Sequence, residues 1–257
     1  MINSFDAYKG LISIVVPVYN AAAFLKETIA CVQAQRYSDW ELLLVDDCSK
    51  DNSCDVILNA AKLDQRVRLI RQEKNQGTAA ARNRGILEAR GRFLCFLDAD
   101  DLWETDKLDQ ELMFLLEKGA SFVFTGYEFA DENGIGLGRI VHVPQTITYK
   151  QALKNTTIFT STVMIDRSLI PDEDIVMPQI ASEDTATWWR ILKKHGKGYG
   201  LDQNLVKYRR SAATLSSNKA VAVKRIWNLY RRQEGLSLWK SFYCMGFWAV
   251  RAVCRRI

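Results

Sequence analysis

The first hundred residues alternate short apolar runs with segments of helical periodicity, and this alternation restricts the fold more than any other feature. Four apolar runs predict strands, at Leu11–Val18, Glu41–Val45, Val67–Gln72 and Phe93–Leu97. The segments between them repeat apolar residues at helical spacing, as in Thr78–Ala89. Strands that alternate with helices indicate an α/β fold, with a largely parallel sheet covered on both faces.

The second half of the chain predicts a mixed continuation of this sheet. Its apolar runs indicate antiparallel or edge strands at Phe122–Tyr127, Arg139–Val143 and Ser161–Ile165. Glu183–His195 has the pattern of a helix that stops at a glycine. From Lys219 onward the pattern is helical again. We therefore predict a main domain over 1–218 and a basic helical tail over 219–257.

Composition restricts the class of protein. The chain has 257 residues and a hydrophobic fraction of 48%, which allow a sizeable buried core. Its six cysteines include no CxxC pair and no zinc-ligand spacing, so we expect neither disulfides nor a zinc site. The N-terminus lacks an apolar run behind a basic start, and no secretory signal is expected. These features fit a reducing cytoplasm.

The net charge of +5 is concentrated at the C-terminus. Residues 224–257 carry +7, whereas the remainder carries −2. A nucleic-acid groove would draw basic residues from across the fold, so we expect no nucleic-acid partner. On a helical wheel the tail is amphipathic: Lys240, Cys244 and Arg251 share one face, opposite an aromatic face. This pattern is typical of a helix lying in a membrane interface, and packing on the main domain or on a partner chain is the alternative.

Two carboxylates follow the fourth predicted strand, one residue apart. Asp98 and Asp100 leave the apolar run Phe93–Leu97 at the carboxyl edge of the sheet, where ligands bind in such folds. A hard divalent cation prefers oxygen ligands and often bridges one or two carboxylates to substrate phosphates. We therefore predict a site for Mn²⁺ or Mg²⁺ here. The alternative is that Asp100 or Asp101 caps the following helix, or that these acids lie in a solvated loop.

Acidic and basic residues also follow the second and third strands. Asp47, after Glu41–Val45, has the chemistry to accept a nucleobase N–H or a ribose hydroxyl, although helix capping is an equal alternative. Arg82 lies one turn into the helix after Asn75-Gln76-Gly77 and can reach a diphosphate. The chain has neither GxGxxG after its first strand nor a GxxxxGK[ST] loop. We therefore expect phosphates to be bound by the metal and by basic side chains.

A pair of acids begins the helix predicted over Glu183–His195. One carboxylate of Glu183 and Asp184 is a candidate general base for an acceptor hydroxyl, and the alternative is that both complement the helix dipole. Trp188 and Trp189 belong to the core or stack on a sugar face.

Taken in order, five segments resemble the family 2 glycosyltransferases of the GT-A fold, a Rossmann-like architecture. They are SIVVPVYN (13–20), ELLLVDDCSKDNS (41–53), NQGTAAARNRG (75–85), FLDADDLW (96–103) and SEDTATWW (182–189). The later YRRSAATLSSNK (208–219), followed by a basic aromatic helix, is similar to members that build bacterial surface polysaccharides. Those include O-antigen, capsule and teichuronic-acid enzymes, many of which act on polyprenyl-diphosphate-linked sugars.

The resemblance implies a role for each matching residue. Pro17, Tyr19 and Asn20 would form the donor site, and Asp47 would read the base. Arg82 and Asp98 would complete this site, Asp100 would be the principal metal ligand, and Asp184 would be the catalytic base, as these positions match the family's motifs. Glu183, Trp188 and Trp189 are weaker candidates.

The resemblance also implies the reaction and the location. We expect an inverting, metal-dependent transfer of a sugar from a nucleoside-diphosphate sugar, with UDP favoured, to a saccharide or lipid-linked acceptor. The protein would be cytoplasmic and peripheral at the inner face of the bacterial cytoplasmic membrane. Two alternatives are a metal-dependent nucleotidyltransferase, although PVYNAAAF (17–24) lacks the expected glycine-rich, lysine-containing loop, and a non-catalytic sugar-nucleotide-binding module.

Overall fold

A ten-stranded mixed sheet forms the centre of the computed structural model, which describes residues 10–209 and 219–254. The strands are β1 (Ile12–Val18), β2 (Trp40–Asp46), β3 (Val67–Arg71), β4 (Phe93–Phe96), β5 (Leu102–Trp103), β6 (Phe122–Ala130), β7 (Gly136–Val141), β8 (Thr146–Ile147), β9 (Val163–Asp166) and β10 (Gly198–Arg209). Eight of them lie in the order β3-β2-β1-β4-β9-β6-β10-β5, with β7 beside β6 and β8 beside β10.

Helices cover both faces of this sheet. They are α1 (Ala22–Gln33), α2 (Ser53–Leu63), α3 (Thr78–Glu88), α4 (Lys107–Glu117), α5 (Tyr149–Ala152), α6 (Asp172–Ile175), α7 (Glu183–His195), α8 (Lys219–Asn228) and α9 (Leu238–Cys254). A 3-10 helix at Thr160–Thr162 precedes β9, and a π-helix at Leu229–Gln233 follows α8. None of the helices in the described residues is long and apolar enough to cross a membrane.

The four strands predicted in the first half are present and parallel. β1 pairs in parallel with β2 and β4, and β2 pairs in parallel with β3. β9 is antiparallel to both β4 and β6, and β7 is antiparallel to β6, as the sequence predicts for the second half. The predicted α/β fold with a mixed sheet is thus confirmed.

Strand β10 was not predicted from the sequence. Its twelve residues run parallel to β6, but the register shifts twice, between Leu201 and Asn204 and between Asn204 and Lys207. Such irregularities interrupt the two-residue alternation by which a strand is recognised. The segment 208–219, which carries part of the resemblance, lies largely outside the described residues.

The two faces of β1 belong to two different parts of the core. Val15 packs with α3, whereas Ile14 and Val16 pack with α1 and α4. Helix α3 lies very close to β1, since a Cβ atom on Gly85 would approach Val15 Cγ1 to 2.3 Å. The small residues of α3 permit this approach, which brings the helix and its Arg82 to the edge of the sheet.

The inner faces of the C-terminal helices pack against α7 and form part of the core. Tyr230, which is fully buried, stacks in parallel on Trp189 of α7 at 5.4 Å between ring centroids. Helix α9 buries Ser241, Cys244 and Trp248. Cys244, which shares a helical face with Lys240 and Arg251, thus packs on the core. The aromatic residues Trp239, Phe242, Tyr243 and Phe247 of the same helix are exposed.

We predict that Tyr230→Ala lowers the free energy of unfolding by about 3 to 5 kcal/mol, because it removes a large buried ring. Urea denaturation followed by tryptophan fluorescence measures the change. The matched control is Trp239→Ala on α9, whose side chain is 86% exposed and whose loss is expected to cost under about 0.5 kcal/mol. The expectation is that the C-terminal helices and the sheet unfold together. If the wild-type protein instead shows a separate early transition, and Tyr230→Ala changes only that transition, the two do not share a core.

Candidate active site

Loops that follow parallel strands meet at one edge of the sheet. Asn20 follows β1 and Cys48 follows β2, and both have positive φ, at 50° and 62°. Left-handed backbone at residues other than glycine is strained, and such residues cluster at functional sites. The Asn20 side chain joins the two loops, since its Oδ1 accepts the Lys50 backbone N–H at 2.7 Å.

The residues predicted for the nucleoside pocket differ in their exposure. Pro17 is half-buried at the end of β1. Tyr19 is 52% exposed, so much of its side chain is accessible to a ligand. Asn20 is also exposed, but its side-chain oxygen accepts a hydrogen bond from Lys50. Tyr19 and Asn20 are therefore the accessible members of this group.

The buried carboxylate of Asp47 orders the loop that leads into α3. Its Oδ1 accepts the Gln76 backbone N–H at 2.8 Å and the Gln72 side-chain N–H at 2.7 Å. Its Oδ2 accepts the Gly77 backbone N–H at 2.7 Å. A carboxylate oxygen has about two acceptor positions, so Oδ2 keeps one for a ligand. Asp47 thus shapes this loop as well as offering a single acceptor to a base.

Three acids, Asp98, Asp100 and Asp101, follow β4. Burial, together with the neighbouring Asp98 carboxylate, raises the pKa of Asp100 to about 6. Asp101 is fully buried, and burial raises its pKa well above the usual range. It accepts the Ser161 hydroxyl at 2.6 Å and the Arg209 backbone N–H at 3.2 Å. Asp101 therefore ties this loop to the 3-10 helix before β9 and to the end of β10.

Arg82 connects the acids after β4 with those of α7. Its guanidinium, 5% exposed, binds Asp98 Oδ1 at 2.6 Å and Glu183 Oε1 at 2.9 Å. Burial alone would lower its pKa, but the carboxylates of Asp98, Glu183 and Asp184 outweigh burial and raise it. A permanently charged Arg82 thus holds the two acidic groups side by side.

The first turn of α7 presents the predicted base. Ser182 enters the helix with a left-handed backbone, at φ 63°. Asp184 Oδ2 accepts the Thr160 hydroxyl at 3.0 Å, which orients the carboxylate. Burial and the Asp184 charge raise the pKa of Glu183. Because Glu183 is engaged with Arg82, Asp184 is the better placed of the two acids to accept a proton.

Trp188 and Trp189 are core residues. Each is 1% exposed. Trp188 stacks on Phe122 at 5.5 Å, and Trp189 stacks on Tyr230. Since neither indole face is open to a sugar, the structure corrects the sugar-stacking role considered for these two residues.

A cleft of about 360 Å³ opens between α7 and the C-terminal helices. It contains Asp98, Arg82, Glu183 and Asp184 from the predicted site, and Asp47 and Asp100 lie outside its lining. The remaining lining residues are Tyr127, Thr156, Thr157, Ile158, Phe159, Thr160, Ser182, Thr185, Ala222, Arg225, Ile226 and Trp248. The sequence had no pattern that identifies Thr160 or the α8 and α9 residues, because they reach the cleft through long-range packing.

The acids after β4 have the chemistry to hold a divalent cation. No cluster of three or more potential side-chain ligands occurs in the described residues. A hard cation of this kind needs only one or two carboxylates when phosphates supply the other oxygens. Burial is the main cause of the raised pKa of Asp100, and the neighbouring Asp98 charge adds to it. A cation would relieve this repulsion between the two carboxylates. Asp100, with Asp98 beside it, therefore fits a metal held together with a substrate.

Sequence comparison identifies relatives along the whole chain. Residues 13–174 match the sequence model of Glycosyl transferase family 2. TuaG of Bacillus subtilis, named as a teichuronic acid biosynthesis glycosyltransferase, is 40% identical over 251 residues, which cover 97% of this chain and 99% of TuaG. WfgD of Escherichia coli, named UDP-Glc:alpha-D-GlcNAc-diphosphoundecaprenol beta-1,3-glucosyltransferase, is 38% identical over 85% of each chain.

Solved structures show the same fold at lower identity. TarS of S. aureus in complex with UDP-GlcNAc has a TM-score of 0.67 and 19% identity, over 93% of this chain and 71% of that chain. A mannosyltransferase of Pyrobaculum calidifontis in complex with GDP-Man and Mn²⁺ has a TM-score of 0.66 and 19% identity, over 86% and 62%. These similarities confirm the predicted GT-A fold.

We predict that Arg82→Gln lowers the free energy of unfolding by about 3 kcal/mol, because it leaves two partly buried carboxylates uncompensated. The double variant Arg82→Gln/Glu183→Gln should lose less than the sum of its single variants. Urea denaturation measures all three. Arg84→Gln on the same helix is the control, since Arg84 is exposed and its ion pair within the described residues is with Glu88 at the surface. Equal losses for Arg82→Gln and Arg84→Gln would refute the bridging role.

Proposed function

Because the chain belongs to glycosyl transferase family 2 and is therefore a glycosyltransferase, we propose that it transfers a sugar from a UDP-sugar to a lipid-linked saccharide, with inversion at the anomeric carbon. The proposed acceptor is a sugar attached to a polyprenyl diphosphate, in the synthesis of a bacterial surface polysaccharide. The names of TuaG and WfgD support this class of pathway, and WfgD's name supports both the UDP-linked donor and the acceptor.

One observation carries the proposal: Arg82 forms ion pairs with Asp98, on the proposed donor side, and with Glu183, on the proposed acceptor side. Asp98 follows β4, where ligands bind in open α/β sheets. Glu183 and Asp184 begin α7 and line the same cleft. A single displacement needs a base on the acceptor and charge stabilisation at the leaving group, on opposite sides of the reacting carbon. Asp184 is the proposed base, and a cation held by the carboxylates after β4 would supply the charge stabilisation.

In the proposed reaction, Asp184 takes the proton of the acceptor hydroxyl while Thr160 holds the carboxylate in place. The hydroxyl oxygen forms a bond to the anomeric carbon as the bond from that carbon to the diphosphate oxygen breaks. The products are the lengthened saccharide and a nucleoside diphosphate. Pro17, Tyr19, Asn20 and Asp47 are the proposed nucleoside contacts.

A bound Mn²⁺ or Mg²⁺ would neutralise negative charge on the donor diphosphate. Asp100 is the proposed direct ligand, and Asp98 lies beside it. Arg82 holds the Asp98 carboxylate in place through its short ion pair. The mannosyltransferase neighbour crystallised with Mn²⁺ supports a metal of this type for the fold.

We predict that Asp184→Asn lowers kcat by about 10³-fold or more, within the range of general-base loss and misplacement, while UDP-sugar binding in the presence of Mn²⁺ is unchanged. For Asp100→Ala we expect weaker Mn²⁺-dependent binding of the donor, seen as a higher Kd. Calorimetry gives the donor Kd, and product analysis gives turnover. Release of pyrophosphate instead of nucleoside diphosphate would indicate nucleotidyl transfer. Unaltered kcat in Asp184→Asn would remove it as the base.

The outer face of α9 is the proposed contact with the membrane. It exposes Trp239, Phe242, Tyr243 and Phe247, in an arrangement typical of helices in the headgroup region. Basic side chains accompany these rings: Lys154 lies over the Tyr243 ring at 4.6 Å. A lipid-linked acceptor makes the inner face of the cytoplasmic membrane the proposed location.

We predict that Trp239→Ala/Phe242→Ala reduces sedimentation with phosphatidylglycerol-containing vesicles by about 10-fold or more, since each buried aromatic side chain contributes about 1.5 to 3 kcal/mol. The matched control replaces two exposed leucines on other helices, Leu63→Ala/Leu87→Ala. Binding that is unchanged in the aromatic variant, or equally reduced in the control, would exclude α9 as the contact.

A further inference from the structure

A half-buried arginine on α8 lines the cleft and has no counterion among the described residues. Arg225 shares this cleft with three carboxylates, those of Asp98, Glu183 and Asp184. Its guanidinium forms no ion pair and no hydrogen bond with any residue in the ranges 10–209 and 219–254. Partial burial removes water from a cation, and buried charges are normally paired. A ligand anion would supply the missing partner.

The second cationic side chain in the cleft lining is already fully engaged. Arg82 forms ion pairs with Asp98 at 2.6 Å and with Glu183 at 2.9 Å. Its role is to hold protein carboxylates together. Within the described residues, Arg225 is therefore the cation of this cleft that remains available to a bound molecule.

Arg225 lies on the part of the cleft wall that α8 and α9 contribute. The same wall includes Ile226 and Trp248. The indole N–H of Trp248 donates to the Thr156 hydroxyl at 3.0 Å, which fixes α9 against the cleft. The proposed donor residues, in contrast, follow β1, β2 and β4. Arg225 thus belongs to the acceptor side of the site.

We propose that Arg225 binds the diphosphate group of the acceptor, an inference that rests on the proposed function. A guanidinium pairs with two phosphate oxygens at once, which gives both charge and orientation. One sugar ring separates the accepting hydroxyl from the diphosphate on a singly glycosylated lipid. The cleft is of a size suited to one such unit, with the hydroxyl at Asp184 and the diphosphate at Arg225. The lipid chain would then leave along α9, whose outer face is aromatic.

The test compares two probes that carry the same sugar, N-acetylglucosamine. One has a short-chain alkyl diphosphate at its anomeric carbon, and the other has a neutral alkyl group of the same length. Calorimetry with and without UDP measures Kd for both. For Arg225→Gln we expect the Kd of the diphosphate probe to rise by about 10-fold or more, which corresponds to one charge-assisted contact, and the Kd of the neutral probe to stay unchanged. Arg225→Lys should give an intermediate loss.

Lys224→Gln is the matched control, because Lys224 is exposed on the same helix and does not line the cleft. An unchanged Kd of the diphosphate probe in Arg225→Gln overturns the inference. So does an equal loss for both probes, or a wild-type protein that binds both equally. Weaker UDP binding in Arg225→Gln would assign the residue to the donor diphosphate. Selective diphosphate binding in a wild-type protein that transfers no sugar would refute the proposed function alone.

Discussion

The site depends on the buried charge of Arg82. This residue of α3 pairs with Asp98, 16 positions later, and with Glu183, 101 positions later. The desolvation of one guanidinium is offset only if both carboxylates remain in place, and each carboxylate is stable in its position only beside the arginine. The close approach of α3 to β1, which Gly85 permits, is what brings the guanidinium to the sheet edge. A packing constraint in the core thereby sets the distance between two acidic groups.

The sequence predicted the parallel half of the sheet and its acids, because both signals are local. An apolar run such as Phe93–Leu97 is recognisable by itself, and the carboxyl ends of parallel strands share an edge, so Asp98 and Asp100 were placed correctly after β4. The roles of the individual acids were harder to predict from the sequence. Asp47 was predicted to read a base, yet most of its acceptor positions are occupied by backbone and side-chain N–H groups of the following loop. Such bonds depend on tertiary geometry.

The acceptor side was not predictable, since its parts come together only in three dimensions. Thr160 orients Asp184 from a 3-10 helix with no sequence signal, and Arg225 reaches the cleft through a helix that lies beyond β10. Trp188 and Trp189 illustrate the converse problem. Aromatic residues next to an acidic pair suit a sugar site and a core equally well, and only the neighbours Phe122 and Tyr230 decide between them.

Helix α9 reverses the usual arrangement of a surface helix in water. It buries Ser241 completely while Trp239 remains 86% exposed. A helix on the surface of a globular domain normally turns its apolar stripe to the core. Small residues at Ser241 and Cys244 favour close packing on the inner side, where Trp248 is also buried, whereas the rings of Trp239, Phe242, Tyr243 and Phe247 remain exposed. Exposed apolar patches of this kind mark surfaces that contact a membrane or another protein. Since Trp248 of the same helix lines the cleft, α9 joins the proposed membrane contact to the proposed acceptor end of the site.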